Sequence, residues 1–435
     1  MPPNMESTAK GVTGRKERDS ESPATPPKRK GLLAFLGPGF LITLGFIDPG
    51  NWATNLAGGS LFGYSLLWVI TLSTLMLILL QNMSAKLGIV TGRSLADNVR
   101  QHFPRPVAWL LGVTIIIACI FTTIAEYLGA ALGLLILFGW PIWVGALLTF
   151  LFVLVGTWFP QYRKLEFLLI GFLSIIGVIY VIELFIVKPD WSLAMPALVV
   201  PHLDHTSIYV AMGMLGAVIM PHNIYLHSNV VQSRHQIHYD RQEQRRMIRY
   251  QMIDTVLAMG TGWLVNSAMI IVAAAVFFKV GLEVTSIEQA AETLRPLAGH
   301  LASVLFGVAL LCSGLGSSMT SSMAQANVVT GYLGKPSDTK TNWWRYALIL
   351  TTVPALAVIL MGFDSFQLLV ASQVALSIQL PFTIIPLLLL VRKHKVMGDF
   401  RSKPLEFWLA VLIAVVIILL NLLLLYQTFG GEFAW

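Results

Sequence analysis

Apolar residues in this chain arrive in blocks of about 20, the length that carries a helix through the hydrocarbon core of a bilayer. In hydrocarbon every backbone polar group needs an internal partner, so such blocks fold as membrane-spanning helices or closed barrels. Blocks of about 18 or more apolar residues read as membrane-spanning helices. Hydrophobic residues make up 56% of the 435 residues and charged residues 12%. Soluble domains carry about twice that share of charge. The mean hydropathy is +0.72. An all-α integral membrane protein follows, folded as one bundle rather than as several soluble domains.

The blocks predict eleven spans, at 34–61, 64–88, 106–137, 142–159, 165–187, 207–231, 252–278, 301–332, 346–361, 367–391 and 407–425. The first begins after a long polar tail and runs too far for a signal-peptide core. Residues 1–31, rich in Pro, Ser, Thr and charge, are expected to form a disordered cytoplasmic tail. With the N-terminus placed inside, 26 Lys and Arg fall on the cytoplasmic side and three, Lys188, Lys279 and Arg295, outside. That asymmetry predicts a multi-pass protein of the cell membrane with a cytoplasmic N-terminus and an external C-terminus. It also accounts for the net charge of +7 without nucleic acid. The basic stretch 241–249 reads as part of the same bias, with a partner-binding helix as the alternative. Cys119 and Cys312, both inside apolar blocks, make no disulfide framework.

Two spans carry matching interruptions. The first contains Asp48-Pro49-Gly50-Asn51 and the sixth Met220-Pro221-His222-Asn223, each following an Ile. Proline removes a backbone donor and disturbs a helix, and Gly50 weakens the first one further. Non-helical backbone at this depth is tolerated where it lines a cavity or is buried in protein. Breaks five spans apart indicate an inverted repeat, spans 1–5 in residues 32–200 and spans 6–10 in 201–398. The eleventh span and C-terminus, 399–435, are then an addition. A simple proline kink is the plainer reading of either break alone. Asp48, an acid inside a span, is costly and marks function. Asn51 offers an amide oxygen and Met220 a thioether. Oxygen alone suits magnesium or calcium, whereas sulfur beside carboxylate and amide suits a transition metal. Taken singly, Met220 also fits core packing, and Asn51 a helix cap.

The segment from Gly37-Pro38-Gly39 through Asp48-Pro49-Gly50-Asn51 to Gly63-Tyr64-Ser65-Leu66-Leu67-Trp68 resembles the first-span signature of Nramp metal transporters. Met220-Pro221-His222-Asn223-Ile224-Tyr225-Leu226-His227-Ser228 resembles their sixth-span signature. The resemblance implies a leucine-transporter-type fold with discontinuous helices 1 and 6. It implies import of Mn2+, Fe2+ or a similar divalent ion by alternating access, coupled to protons, by a chain that works as a monomer and needs no cofactor. It places Asp48, Asn51 and Met220 on the metal through side chains, Ala217 and Gly45 through carbonyls, and Gln373 near the metal in an occluded state. An interhelical hydrogen bond is the other reading of Gln373. Magnesium-carrying relatives lack the Asn and the Met that this chain keeps.

The resemblance further implies a proton pathway through Asp48, His222, Glu126 and His227. A buried neutral histidine and a structural ion pair are the plainer readings of His222 and Glu126. Well-coupled relatives carry Asp where this chain has Thr123, and threonine holds no charge. A metal transporter with weak or no proton coupling, and a sodium-coupled amino-acid symporter of the same fold, therefore stand as alternatives. An intramembrane enzyme would need a nucleophile with a base or a His-Glu-x-x-His motif, neither of which the sequence contains.

Overall fold

A computed structural model describes residues 43, 47–158, 162–204, 206–233, 241–293 and 300–428. Every regular element among them is helical. The helices are α1 Pro49–Phe62, α2 Leu67–Thr91, α3 Leu95–His102, α4 Arg105–Phe138, α5 Ile142–Trp158, α6 Tyr162–Val187, α7 Trp191–Ala197 and α8 Ile208–Val218. They continue as α9 Pro221–Ser233, α10 Arg241–Val276, α11 Ile287–Thr293, α12 His300–Leu333, α13 Asn342–Leu360, α14 Ser365–Arg392, α15 His394–Met397 and α16 Pro404–Thr428. Eight stretches, counting α8 with α9 as one, are long and apolar enough to cross a membrane, and two shorter apolar helices accompany them. The polar tail and the first half of the first predicted span lie outside the described residues.

Element positions follow the hydropathy blocks, with physical reasons for the departures. The sixth block is two helices, because Pro221 opens a new helix instead of kinking one. α10 starts at Arg241, well before the apolar block it contains. Its first turns are charged, so hydropathy cannot see them, and the basic stretch is the entry to a span. α3 is short and polar but carries a reciprocal capping box between Ser94 and Asp97.

Small residues let the helices approach closely, as association in lipid requires. A methyl group on Gly314 of α12 would lie 2.4 Å from the Ala130 nitrogen of α4, and one on Gly133 would lie 2.8 Å from the Leu311 nitrogen. These contacts knit α4 and α12 into one slab. Outward faces are aliphatic and aromatic, with Leu75, Trp109, Trp143, Phe185 and Trp408 exposed. Such a surface is unstable in water and suited to lipid. Lys86 of α2 and Glu406 of α16 form a part-buried ion pair at 2.9 Å that ties the last helix to the bundle.

Candidate metal site

The first break begins with Ile47 and Asp48, which precede α1 in non-helical conformation. Asp48 is the N-cap, extended at φ −83° and ψ 166°. The Asn51 backbone N–H donates to its Oδ1 at 2.9 Å. Pro49 occupies the first helical position, where a missing N–H costs no bond. The cap is therefore Asp48 rather than Asn51. One carboxylate oxygen is spent on the helix, while Oδ2 is buried with no hydrogen-bond partner among the described residues. In an unbroken helix the Ile47 carbonyl would accept from the Asn51 N–H. That N–H is given to Asp48, and the Ser313 hydroxyl of α12 donates to Ile47 instead. Gly45 lies outside the described residues.

At the second break α8 ends at Val218 and α9 starts at Pro221. The carbonyl of Ala217 would accept from residue 221 in a continuous helix, and proline has no N–H to give. Ile219 leaves helical geometry at φ −93° and ψ 45°. Met220 is wholly buried, and the Asn223 side-chain amide donates to its sulfur at 3.4 Å. Asn223 was not among the predicted site residues, although its place in the repeated Pro-x-Asn pattern was the signal for it.

α14 brings the two breaks together. A methyl on Gly50 would lie 1.9 Å from the Gln373 side-chain nitrogen, so that amide lies directly on the first break. A methyl on Gly216, next to Ala217, would lie 2.2 Å from the Gln373 carbonyl oxygen. Gln373 is thus wedged between both interruptions. Its Nε2 donates to Ser372 on its own helix at 3.0 Å, and its Oε1 is buried without a partner. The interhelical hydrogen bond offered as its alternative role is not its described partnership. Gly213 of α8 also faces Thr54 of α1, at 3.1 Å from a would-be methyl. A carboxylate oxygen, a thioether sulfur, an amide oxygen and a proline-freed carbonyl therefore belong to adjoining segments. Among the described residues no three His, Cys, Asp or Glu side chains gather as a metal cluster. A site of mixed oxygen and sulfur donors would not register as one.

Gly129 of α4 presses on the Pro49 ring, 1.9 Å from a would-be methyl, which sets Glu126 one turn away from the first break. Ser321 donates to Glu126 Oε2, and Oε1 is buried without a partner among the described residues. The partner of Glu126 among the described residues is a hydroxyl, not the cation that the structural ion pair would need. Thr123 lies 2.9 Å from the Gln325 side-chain oxygen, within donating distance. His222 Nδ1 lies 3.2 Å from the Thr122 hydroxyl, and its Nε2 has no partner among the described residues. His227 is held at both nitrogens, by Gln81 Oε1 at 2.8 Å and Gln251 Nε2 at 2.9 Å. An oxygen facing Nδ1 and an amide N–H facing Nε2 fix a neutral, Nδ1-protonated ring.

A family model described as natural resistance-associated macrophage protein-like matches residues 39–427. The chain belongs to the Nramp family. This Nramp chain is 41% identical over 406 residues to the divalent metal cation transporter MntH of Caldanaerobacter subterraneus, covering 93% of this chain and 95% of that one. It is 40% identical to a Dictyostelium discoideum natural resistance-associated macrophage protein 2 homolog, covering 92% of this chain and 64% of the relative. Its fold matches a solved Eremococcus coleocola manganese transporter with a TM-score of 0.77 at 29% identity, over 93% and 89% of the two chains. The nucleobase-cation-symport-1 transporter Mhp1, in a closed conformation, matches at 0.62 and 16% identity over 89% and 88%. That likeness is one of fold, and the Nramp chain is a multi-pass membrane protein of leucine-transporter type.

Proposed function

We propose that this Nramp chain is a secondary transporter that imports a divalent transition-metal ion, Mn2+ or Fe2+, by alternating access around the two helix breaks. The reading is carried by one observation. Gln373 bridges Gly50 and Gly216, so the unpartnered Asp48 oxygen and the Met220 sulfur belong to segments that meet on one helix. Asp48, Asn51, Met220 and the Ala217 carbonyl bind the cargo, Gln373 closes over it, and Gly45 serves in another state. Inward-negative potential drives the ion, each charge gaining about 2.3 kcal/mol per 100 mV. The chain acts as a monomer in the cell membrane with its N-terminus inside.

Protons accompany the metal. Metal binding requires a deprotonated carboxylate, so cargo displaces any proton on Asp48, and Glu126 and His222 are the neighbouring acceptors. The Thr123 hydroxyl facing an amide favours weaker coupling than an aspartate would give, since neither group carries charge. His227, held neutral from both sides, supports the bundle more readily than it relays a proton.

Reconstitution in liposomes with a manganese-quenched dye and a pH dye tests the proposal. Manganese enters under an inward-negative potential, excess leucine does not compete, and proton influx accompanies entry. Glu126→Gln is expected to remove that proton influx while leaving metal affinity unchanged. Proton influx that never follows metal, in wild type, would dismiss the coupling. Met220→Ala is expected to weaken Cd2+ binding roughly 10- to 100-fold while leaving Mg2+ and Ca2+ little changed, because the lost donor is soft. Equal losses for all three ions in a calorimetric titration would mean that the sulfur is not a ligand.

A further inference from the structure

The carbonyl of Ile47 adjoins Asp48 and has been freed by the same break. A freed carbonyl at this depth is a ready cation ligand, yet this one is already engaged. Its partner comes from the far side of the sequence, the hydroxyl of Ser313 in α12. We propose that Ser313 is a positioning residue that sets cation selectivity, by holding the Ile47 carbonyl away from the cargo and leaving Asp48 to cap its half-helix. The inference rests on the metal-site reading given above.

Ser313 is well placed to act as a fixed post. It is wholly buried, and the next residue, Gly314, lies against the α4 backbone at Ala130 so closely that α12 cannot shift locally. The same slab supports the following residue of the break, with Pro49 seated on Gly129 of α4. The segment 47–49 is therefore held at both ends by groups that do not touch the cargo.

Removal of the hydroxyl leaves a buried acceptor unsatisfied, which proteins rarely tolerate. The Ile47 carbonyl can then turn to either of two other partners. One is the cation itself, which gains a carbonyl oxygen as ligand. The other is the Asn51 N–H, the partner that a continuous helix would supply. Taking that N–H back releases Asp48 Oδ1 from its capping bond, and this oxygen becomes free to bind the cation. Both routes add a hard oxygen to a site whose sulfur donor is unchanged. Oxygen-rich coordination favours magnesium and calcium over softer ions. A residue that merely stabilised the bundle would weaken all ions alike, so selectivity separates the two roles.

Calorimetric titration of purified protein with Cd2+, Mn2+, Mg2+ and Ca2+ tests this, using wild type, Ser313→Ala, Ser313→Thr, Ser313→Cys and Asp48→Ala. The affinity for Ca2+ or Mg2+ relative to Cd2+ is expected to rise roughly tenfold in Ser313→Ala, the factor that one ordinary hydrogen bond represents. Ser313→Thr keeps the donor and the wild-type ratio. Ser313→Cys, a weak donor of similar size, shifts the ratio in the direction of alanine and stands in for it if alanine fails to fold. An unchanged ratio in both Ser313→Ala and Ser313→Cys, or a ratio shifted equally in Ser313→Thr, overturns the inference. Asp48→Ala separates it from the underlying reading: wild-type Cd2+ binding in that variant removes the metal site itself, whatever Ser313 does.

Discussion

Asp48→Ala is expected to abolish metal uptake, and Asp48→Asn nearly so, with different consequences for the fold. The side chain does two jobs at once. Oδ1 caps α1 through the Asn51 N–H, and Oδ2 is left without a partner in the buried interior. Alanine removes both. Loss of the cap alone costs about 1 kcal/mol, which a bundle of this size survives with a lowered melting temperature. Asparagine is an equally good cap and preserves the half-helix, while removing the negative charge that a divalent ion needs. Loss of the carboxylate, the one charged donor proposed for the site, is expected to exceed the roughly 10- to 100-fold loss expected at the neutral Met220 sulfur. Uptake in liposomes, with thermal unfolding in detergent beside it, reads the two effects separately. Wild-type transport by Asp48→Asn would remove the carboxylate from the site.

Gly216→Ala is expected to cost the protein its assembled site. The added methyl would lie 2.2 Å from the Gln373 carbonyl oxygen and 2.8 Å from the Ser377 nitrogen, both backbone atoms of α14. Backbone inside a helix cannot rotate aside as a side chain does, so α8 and α14 must separate. Overpacking of this kind typically costs about 1–3 kcal/mol, and here the separation opens the place where both breaks meet. Uptake should fall with stability, and purified protein should unfold at a lower temperature. Gly260→Ala in α10 is the matched control. No atom lies within 4 Å of its would-be methyl, and alanine is the better helix former by about 1 kcal/mol. Equal behaviour of the two variants would mean that the close approach at Gly216 carries no weight.

The spans were legible because burial in lipid demands one property, apolarity over a fixed length, and the sequence displays it directly. The breaks were legible because proline acts locally: the missing N–H of Pro221 frees Ala217 whatever surrounds it. Other features depend on what a residue meets, and hydropathy carries none of that. Ser313 and Ile47 are 266 residues apart, and nothing local in either announces the other. The glycines of α4, α8, α10 and α12 look alike in the sequence, yet some face backbone and Gly260 of α10 faces open space. The double duty of Asp48 was visible only in part. Acid before proline is a normal helix start, but the cost of a buried acid drew attention to its ligand role alone. The charged opening of α10 was hidden for the opposite reason, since a helix emerging from the bilayer stops being apolar before it stops being helical.

The seating of Pro49 on Gly129 has a mechanical consequence. A proline ring against a glycine is carbon against carbon, with no side chain on the glycine to interlock. Such a surface makes no directional bond, so it sets how near α1 comes to α4, while the Ser313–Ile47 hydrogen bond fixes the entry to the half-helix. The α4–α12 slab, knit through backbone, thus holds the start of α1 from both of its helices. Enlarging Gly129 is expected to push the Pro49 ring off this seat and to lower thermal stability and uptake together.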